Sequence, residues 1–145
     1  MLPSAILGVP LLEAANTEGV REVMNQMSRE AYAVADELGI SFLPTLGLAA
    51  EAVAESDQYA IDLLDVILQS YSRPETKVAV LQDWEKGRRA EIDAFSGYIV
   101  SKAVEQGSQV PVNRAVVEIS RQIEVGEMVP SPDNRQLLLD TLANY

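Results

Sequence analysis

The sequence predicts a single all-α domain, and three observations carry that expectation. Apolar residues recur at spacings of three and four through most of the chain, as in helices that bury one face. No stretch alternates polar and apolar residues between hairpin turns, so no sheet is expected. The length of 145 residues suits one domain. A domain of this size buries roughly 68–70% of the surface that its unfolded chain exposes.

From Thr17 to Leu38 the residues Val20, Val23, Met24, Met27, Ala31, Val34, Ala35 and Leu38 fall on one helical face. Asn16 or Thr17 is placed to cap the start, and Gly39 sits just past the end, where positive φ is favoured. A second helix is expected within Ala49 to Ser70. Ile61, Leu64 and Leu68 mark its stripe, and Leu63, Val66 and Ile67 widen it, which points to a central helix. Pro74 resets the chain, and a third helix is predicted from Pro74 to Lys86, ended by Gly87.

A fourth helix is expected from about Ala90 to Gly107, with Ile92, Phe95, Ile99 and Ala103 as its buried stripe. The VPVN connector then offers Asn113 as the cap of a fifth helix carrying Ala115, Val116, Ile119 and Ile123. After Gly126 and a PSPD turn, a short sixth helix covers Gln136 to Leu142. The helices differ in length, loop and stripe, so no solenoid repeat is read.

The formal net charge of −11 argues against phosphate-dominated nucleic-acid binding and against anionic membrane surfaces. The start, MLPSAILGVPLL, lacks a positive n-region and is broken by Gly8 and Pro10, so neither a signal peptide nor a membrane span is expected. A cytoplasmic location fits this reading. The chain has no His and no Cys, which excludes Ser-His-Asp and Cys-His nucleophilic systems, Cys/His zinc sites and disulfides within it. An acidic metal site from Asp57, Asp62 and Asp65 has little support, because hard cations need several convergent oxygens. A solvated acidic face accounts for those residues better.

The segment from Leu81 to Asn113 reads LQDWEKGRRAEIDAFSGYIVSKAVEQGSQVPVN. Its order and spacing of L-Q-D, G-R, E-I-D, a later glycine and P-x-N resembles the signature of the ketopantoate reductases (2-dehydropantoate 2-reductases). The earlier SAILGVPLLEAAN and the helix ending in ELGI extend the resemblance over residues 1 to 124. The resemblance implies a multi-helix bundle like the 6-phosphogluconate dehydrogenase C-terminal-like domain of those enzymes. Residues 125–145 then form an extension with a short helix packed on the same domain.

The family reduces 2-dehydropantoate to pantoate with NADPH, a step in pantothenate biosynthesis, and pairs this helical domain with an N-terminal Rossmann domain. No G-x-G-x-x-G phosphate loop stands in this sequence, so no cofactor is expected to bind this chain alone. The implied role is closure of the substrate side, with no turnover by the chain alone, beside a separately encoded or missing Rossmann domain. The alternative is a non-catalytic oligomerising module that keeps the fold.

The family's catalytic Lys would lie upstream of Met1, which falls about where a helpful Asn stands in the family. Ala79 replaces a Ser that would donate to the substrate carboxylate, Ala90 replaces a Thr, and Ser96 replaces an Asn. Glu91 matches the family's Glu and is the one candidate catalytic residue. A Glu in a first helical turn also has a plain explanation in the helix dipole.

Asp93 is placed to reach back toward a capping N–H, and Gln82 and Asp83 to fix the turn after the third helix. Arg73, Lys77, Lys86, Arg88 and Arg89 cluster in seventeen residues. They read either as an anion-binding patch or, preferably, as complements to the C-terminal end of the third helix. Trp84 and Tyr98 read as core or interface aromatics. Finally, Leu2 to Leu12 holds seven Leu, Ile, Val or Ala residues and no basic or acidic one, which predicts an exposed apolar face covered by a homodimer partner. The tail beyond Gly126 is the other candidate cover.

Overall fold

The computed structural model describes residues 1–48, 53 and 56–144, and everything stated below refers to these. They form helices and connectors with no strand. The helices are α1 (Leu2–Leu7), α2 (Leu11–Asn16), α3 (Val20–Glu37), α4 (Ser56–Ser70), α5 (Ala79–Glu85), α6 (Ser96–Gln106), α7 (Pro111–Glu124) and α8 (Arg135–Asp140). Short 3-10 turns at Ile92–Ala94, Pro132–Asn134 and Thr141–Asn144 join or extend them.

The core gathers around α1, α3 and α7. Helix α7 is amphipathic at helical spacing and buries Val112, Val116, Val117, Ile119 and Ile123. It packs on α1, α3 and α6. Helix α1 is buried at every position from Leu2 to Leu7, and Leu11 follows it into the same core. The expected exposed face at Leu2 to Leu12 is therefore overturned. The chain itself covers Leu2, Ala5, Ile6, Leu7 and Leu11, and Val9 and Leu12 are half-buried.

Part of the cover is the C-terminal tail. Ser131 and Asn134 each donate to the Ile6 carbonyl at 3.0 Å, and Arg135 donates to the Glu18 carbonyl at 2.9 Å. Leu138 is fully buried, and Leu139 presses on Gly19. Gly19, at φ 80, begins α3, and a Cβ there would lie 2.6 Å from Leu139. Neither Asn16 nor Thr17 caps α3. The Thr17 hydroxyl donates to Glu13 in α2 instead.

The cap of α7 also differs from the expectation. Asn113 lies inside the helix, not before it, because Pro111 already occupies the first turn. The capping group comes from α3, 82 residues away in sequence but adjacent in space: the buried Glu30 carboxylate accepts from Val112 N at 2.9 Å and from Asn113 N at 2.8 Å. The Asn113 side-chain amide donates to Glu30 at 2.8 Å and to the Met27 carbonyl at 3.0 Å. A carboxylate at a helix N-terminus satisfies orphan N–H groups and meets the positive end of the dipole.

Helix α4 is not central. It packs chiefly on α3, burying Tyr59, Leu64 and Leu68 while Ile61, Leu63, Val66 and Ile67 stay half-buried. Its expected start at Ala49 lies outside the described residues. The third predicted helix shrinks to α5, because Pro74 is spent in a turn in which Thr76 N donates to the Arg73 carbonyl. The fourth is broken at Phe95, whose φ of −106 and ψ of −99 separate the 3-10 turn from α6 and leave its ring exposed. Ile92 and Ala103 are buried as expected, and Ile99 is half-buried. The stops at Gly39, Gly87 and Gly107 all have positive φ. The sixth helix runs as α8 followed by its 3-10 turn.

Candidate functional site

Two positions of the family signature, Ala79 and Ser96, line one cleft of about 240 Å³. Its walls are Met1 and Leu2 from the start of α1, Val78, Ala79 and Val80 from the start of α5, and Ile92, Phe95 and Ser96 around the break before α6. The break is what builds this wall. Gly97 lets the 3-10 turn fold back on α6, since a Cβ there would meet the Ile92 carbonyl oxygen at 3.2 Å. Ser96 is the single polar side chain in the lining, and its hydroxyl makes no hydrogen bond to a described residue.

Glu91 is exposed at the edge of this arrangement and does not line the cleft. Its neighbours hold it in place: the buried Ala90 donates its N–H to Glu124 at 2.8 Å, and Ile92 is buried in the cleft wall. Glu91 precedes a three-residue 3-10 turn, while α6 starts only at Ser96. The helix-dipole explanation for this carboxylate is therefore weak, because the effect is confined to the terminal turn. Its side chain has no hydrogen bond or ion pair with any described residue.

Asp93 does not cap. Its carboxylate takes Arg121 at 2.7 Å and Arg89 at 3.6 Å, and the Arg121 hydrogen bond holds its pKa below the ordinary carboxylate value. Gln82 and Asp83 are structural: Gln82 donates to the Lys77 carbonyl, and the Asp83 carbonyl accepts from Lys86 and Arg88.

A larger cavity, about 680 Å³, lies elsewhere, between Trp84, Arg88, Arg89, Glu124 and Pro130. Its cations are already answered by acids, Arg88 by Asp83 at 3.5 Å and Arg89 by Glu124 at 3.4 Å. Lys77 likewise pairs with Glu85 at 2.5 Å. Trp84 packs on the core with its Nε1 buried and unpartnered, whereas Tyr98 is exposed under Lys102. Of the acidic trio, Asp65 pairs with Arg21 at 2.5 Å and Asp62 accepts from Gln58. The Asp57 side chain lies outside the described residues.

The all-helical fold is of the kind found in one part of a larger ketopantoate reductase chain. A family model described as the ketopantoate reductase PanE/ApbA C terminal matches residues 2–124. A 2-dehydropantoate 2-reductase of Archaeoglobus fulgidus is 32% identical over 96 residues, covering 66% of this chain and 29% of the relative. The crystal structure of a PanE/ApbA family ketopantoate reductase from Ralstonia eutropha JMP134 superposes with a TM-score of 0.67 at 31% identity, over 86% of this chain and 36% of that one. This chain belongs to the ketopantoate reductase C-terminal domain family. It spans about a third of the length of the relatives it matches.

Sequence reasoning named Ala79, Glu91 and Ser96, and the structure brings the first and last together. It missed Val78, Val80 and Phe95, for which no sequence signal existed apart from adjacency to the motif. Among the described residues no helix is long and apolar enough to cross a membrane.

Proposed function

We propose that this chain supplies the substrate side of a ketopantoate-reductase-like oxidoreductase that reduces 2-dehydropantoate to pantoate, beside a Rossmann domain that holds NADPH. The observation that supports it most is the convergence of Ala79, Ile92 and Ser96 on one cleft, with the exposed Glu91 next in the chain to Ile92. No G-x-G-x-x-G phosphate loop stands in the sequence, so this reading assigns the dinucleotide to the other domain. NADPH, when held by the Rossmann domain, would supply the hydride. The work of this chain is to shape the cleft, to exclude water with Val78, Val80, Ile92 and Phe95, and to present Glu91 toward a bound substrate. A cytoplasmic location belongs to the same reading.

The test is reconstitution. A Rossmann domain produced separately from a full-length family member is mixed with this chain, and NADPH oxidation is followed with 2-dehydropantoate. Activity absent from either part alone is expected, and Glu91→Gln should lower kcat/KM by about 10–100-fold, the range for one hydrogen bond to a charged group. A full-rate Glu91→Gln would remove Glu91 from the site.

One observation favours a second reading. With Ser96 as the single polar side chain in its lining, the cleft has few groups to hold a keto acid, as in a non-catalytic helical module that pairs with a second copy. The pairing surface would then be the exposed Ile40, Leu43 and Leu46, not Leu2 to Leu12. Reconstituted turnover excludes this module. A monomer in sedimentation equilibrium at tens of micromolar excludes the homodimer.

A further inference from the structure

The cavity of about 680 Å³ is bounded by the turn that ends α5, the end of α7 and the strap of residues 125–130. Its volume falls in the range of roughly 300–1,000 Å³ typical of small-molecule sites. The strap lies past residues 2–124 that match the family, and the cavity shares no lining residue with the cleft. Its apolar walls are the half-buried Trp84 and Met128, with Val125 and Val129, which are 71% and 68% exposed.

The Trp84 indole N–H is buried and has no acceptor. Such a donor is destabilising, and native proteins satisfy nearly all of them. Water does not reach it between the walls as they stand, and a lone water brings no apolar surface to offset parting them. A ligand with an apolar body does.

The cations beside Trp84 are unequally engaged. Arg89 has two acids, Glu124 at 3.4 Å and Asp93 at 3.6 Å, and Arg121 closes that ring on Asp93, so its four charges balance. The Glu124 carboxylate is further taken up by Ala90 N at 2.8 Å. Arg88 has only Asp83, at 3.5 Å, longer than the about 2.7–2.9 Å of a charge-assisted hydrogen bond. Lys86, next to it, has no ion pair among the described residues. The turn thus sets two cations, Lys86 and Arg88, against the one acid Asp83, in a chain of net charge −11. Glu127 on the strap does not line the cavity.

We infer that this cavity binds a small aliphatic carboxylate, its chain against Trp84, Met128 and the two valines and its carboxylate accepting from Arg88 and from Trp84 Nε1. The fork of a guanidinium matches a carboxylate in shape and charge, and the indole N–H supplies a further donor. A neutral ligand would leave Arg88 unanswered, and a doubly charged phosphate would meet both Asp83 and Glu124. Trp84 also borders an opening of about 290 Å³ toward Gly8, but the charged side chain there is Glu85, which disfavours an anion. The methionine side chain, flexible and polarisable, adapts to an aliphatic chain. The inference is independent of the proposed reductase role.

The test uses the full chain, whose one tryptophan gives a single indole peak in a nitrogen–proton correlation spectrum. Titration with hexanoate should move that peak saturably downfield, as a new acceptor does. Half-saturation is expected at about 1–10 mM, within what eight non-hydrogen atoms supply. The Met128 methyl group should shift with it, while Met24 and Met27, which line another cavity, should not. 1-Hexanol keeps the chain and loses the charge, and should bind at least about 5-fold more weakly. Arg88→Gln should weaken hexanoate binding about 5–20-fold, one charge-assisted hydrogen bond discounted for its 59% exposure, and leave 1-hexanol binding unchanged. A stationary indole peak, equal affinity for hexanoate and 1-hexanol, or unchanged hexanoate affinity in Arg88→Gln would overturn the inference. No NADPH, keto acid or Rossmann domain enters the titration, so its failure and a failed reconstitution are read separately.

Discussion

Two regions of this molecule use apolar residues in opposite ways. The wedge of α1, α3 and α7 buries nearly all of its apolar side chains and anchors them with the Glu30–Asn113 hydrogen bonds. The flank of α4 and the loop after α3 leaves Ile61, Leu63, Val66 and Ile67 half-buried and Ile40 and Leu43 exposed. The flank is held by lighter links: Tyr32 stacked on Phe42 at 4.5 Å, the Tyr59 hydroxyl donating to Leu43, and the Arg21–Asp65 pair. The difference teaches that burial follows how many elements close over a face, and not how apolar that face is. The candidate cleft is walled by the starts of α1 and α6, so it stands beside the anchored wedge.

If that division is right, Glu30→Ala should be the most damaging single change. It leaves the Val112 and Asn113 donors buried without an acceptor, and a loss of about 3–5 kcal/mol in urea unfolding is expected. A cost below about 1 kcal/mol would mean that water reaches the start of α7 and that the wedge is not anchored there.

Cavity-forming substitutions sharpen the comparison. Ile6→Ala in α1 should cost about 3–4 kcal/mol, in the range for a fully buried aliphatic side chain. Leu63→Ala in α4 should cost less than half as much, because its side chain is half-buried already. Equal costs would erase the distinction between wedge and flank.

The smallest effect concerns Asp93, whose pKa is held low chiefly by the Arg121 hydrogen bond. A folded pKa below the unfolded one gives stability that is present above the unfolded value and lost as pH falls through the folded value. Asp93→Asn should therefore cost under about 1 kcal/mol at pH 7, as an exposed pair does, and the cost should fade as pH drops below about 4. A cost that persists at pH 2 would show a role for Asp93 other than its charge.

The periodic pattern located α3, α6 and α7 because spacing along one helix is a local property, and the glycine stops at 39, 87 and 107 are local too. What failed was nonlocal. Leu2 to Leu12 looked exposed because nothing in the sequence says that α7 and the tail from Val129 to Leu139 fold over it. Nothing in the sequence singles out Glu30, since its partners lie about eighty residues on. The cleft was legible only through the family motif, which orders Ala79, Glu91 and Ser96 but does not reveal that the chain breaks at Phe95.

The central claim is that the face around Ala79 and Glu91 meets a Rossmann domain, and amide hydrogen exchange with and without that domain tests it most directly. Adding the domain should slow exchange at residues 78–80 and 91–98 and leave residues 40–48 unchanged. Protection confined to residues 40–48 and α4, or no protection anywhere at saturating partner, would contradict it.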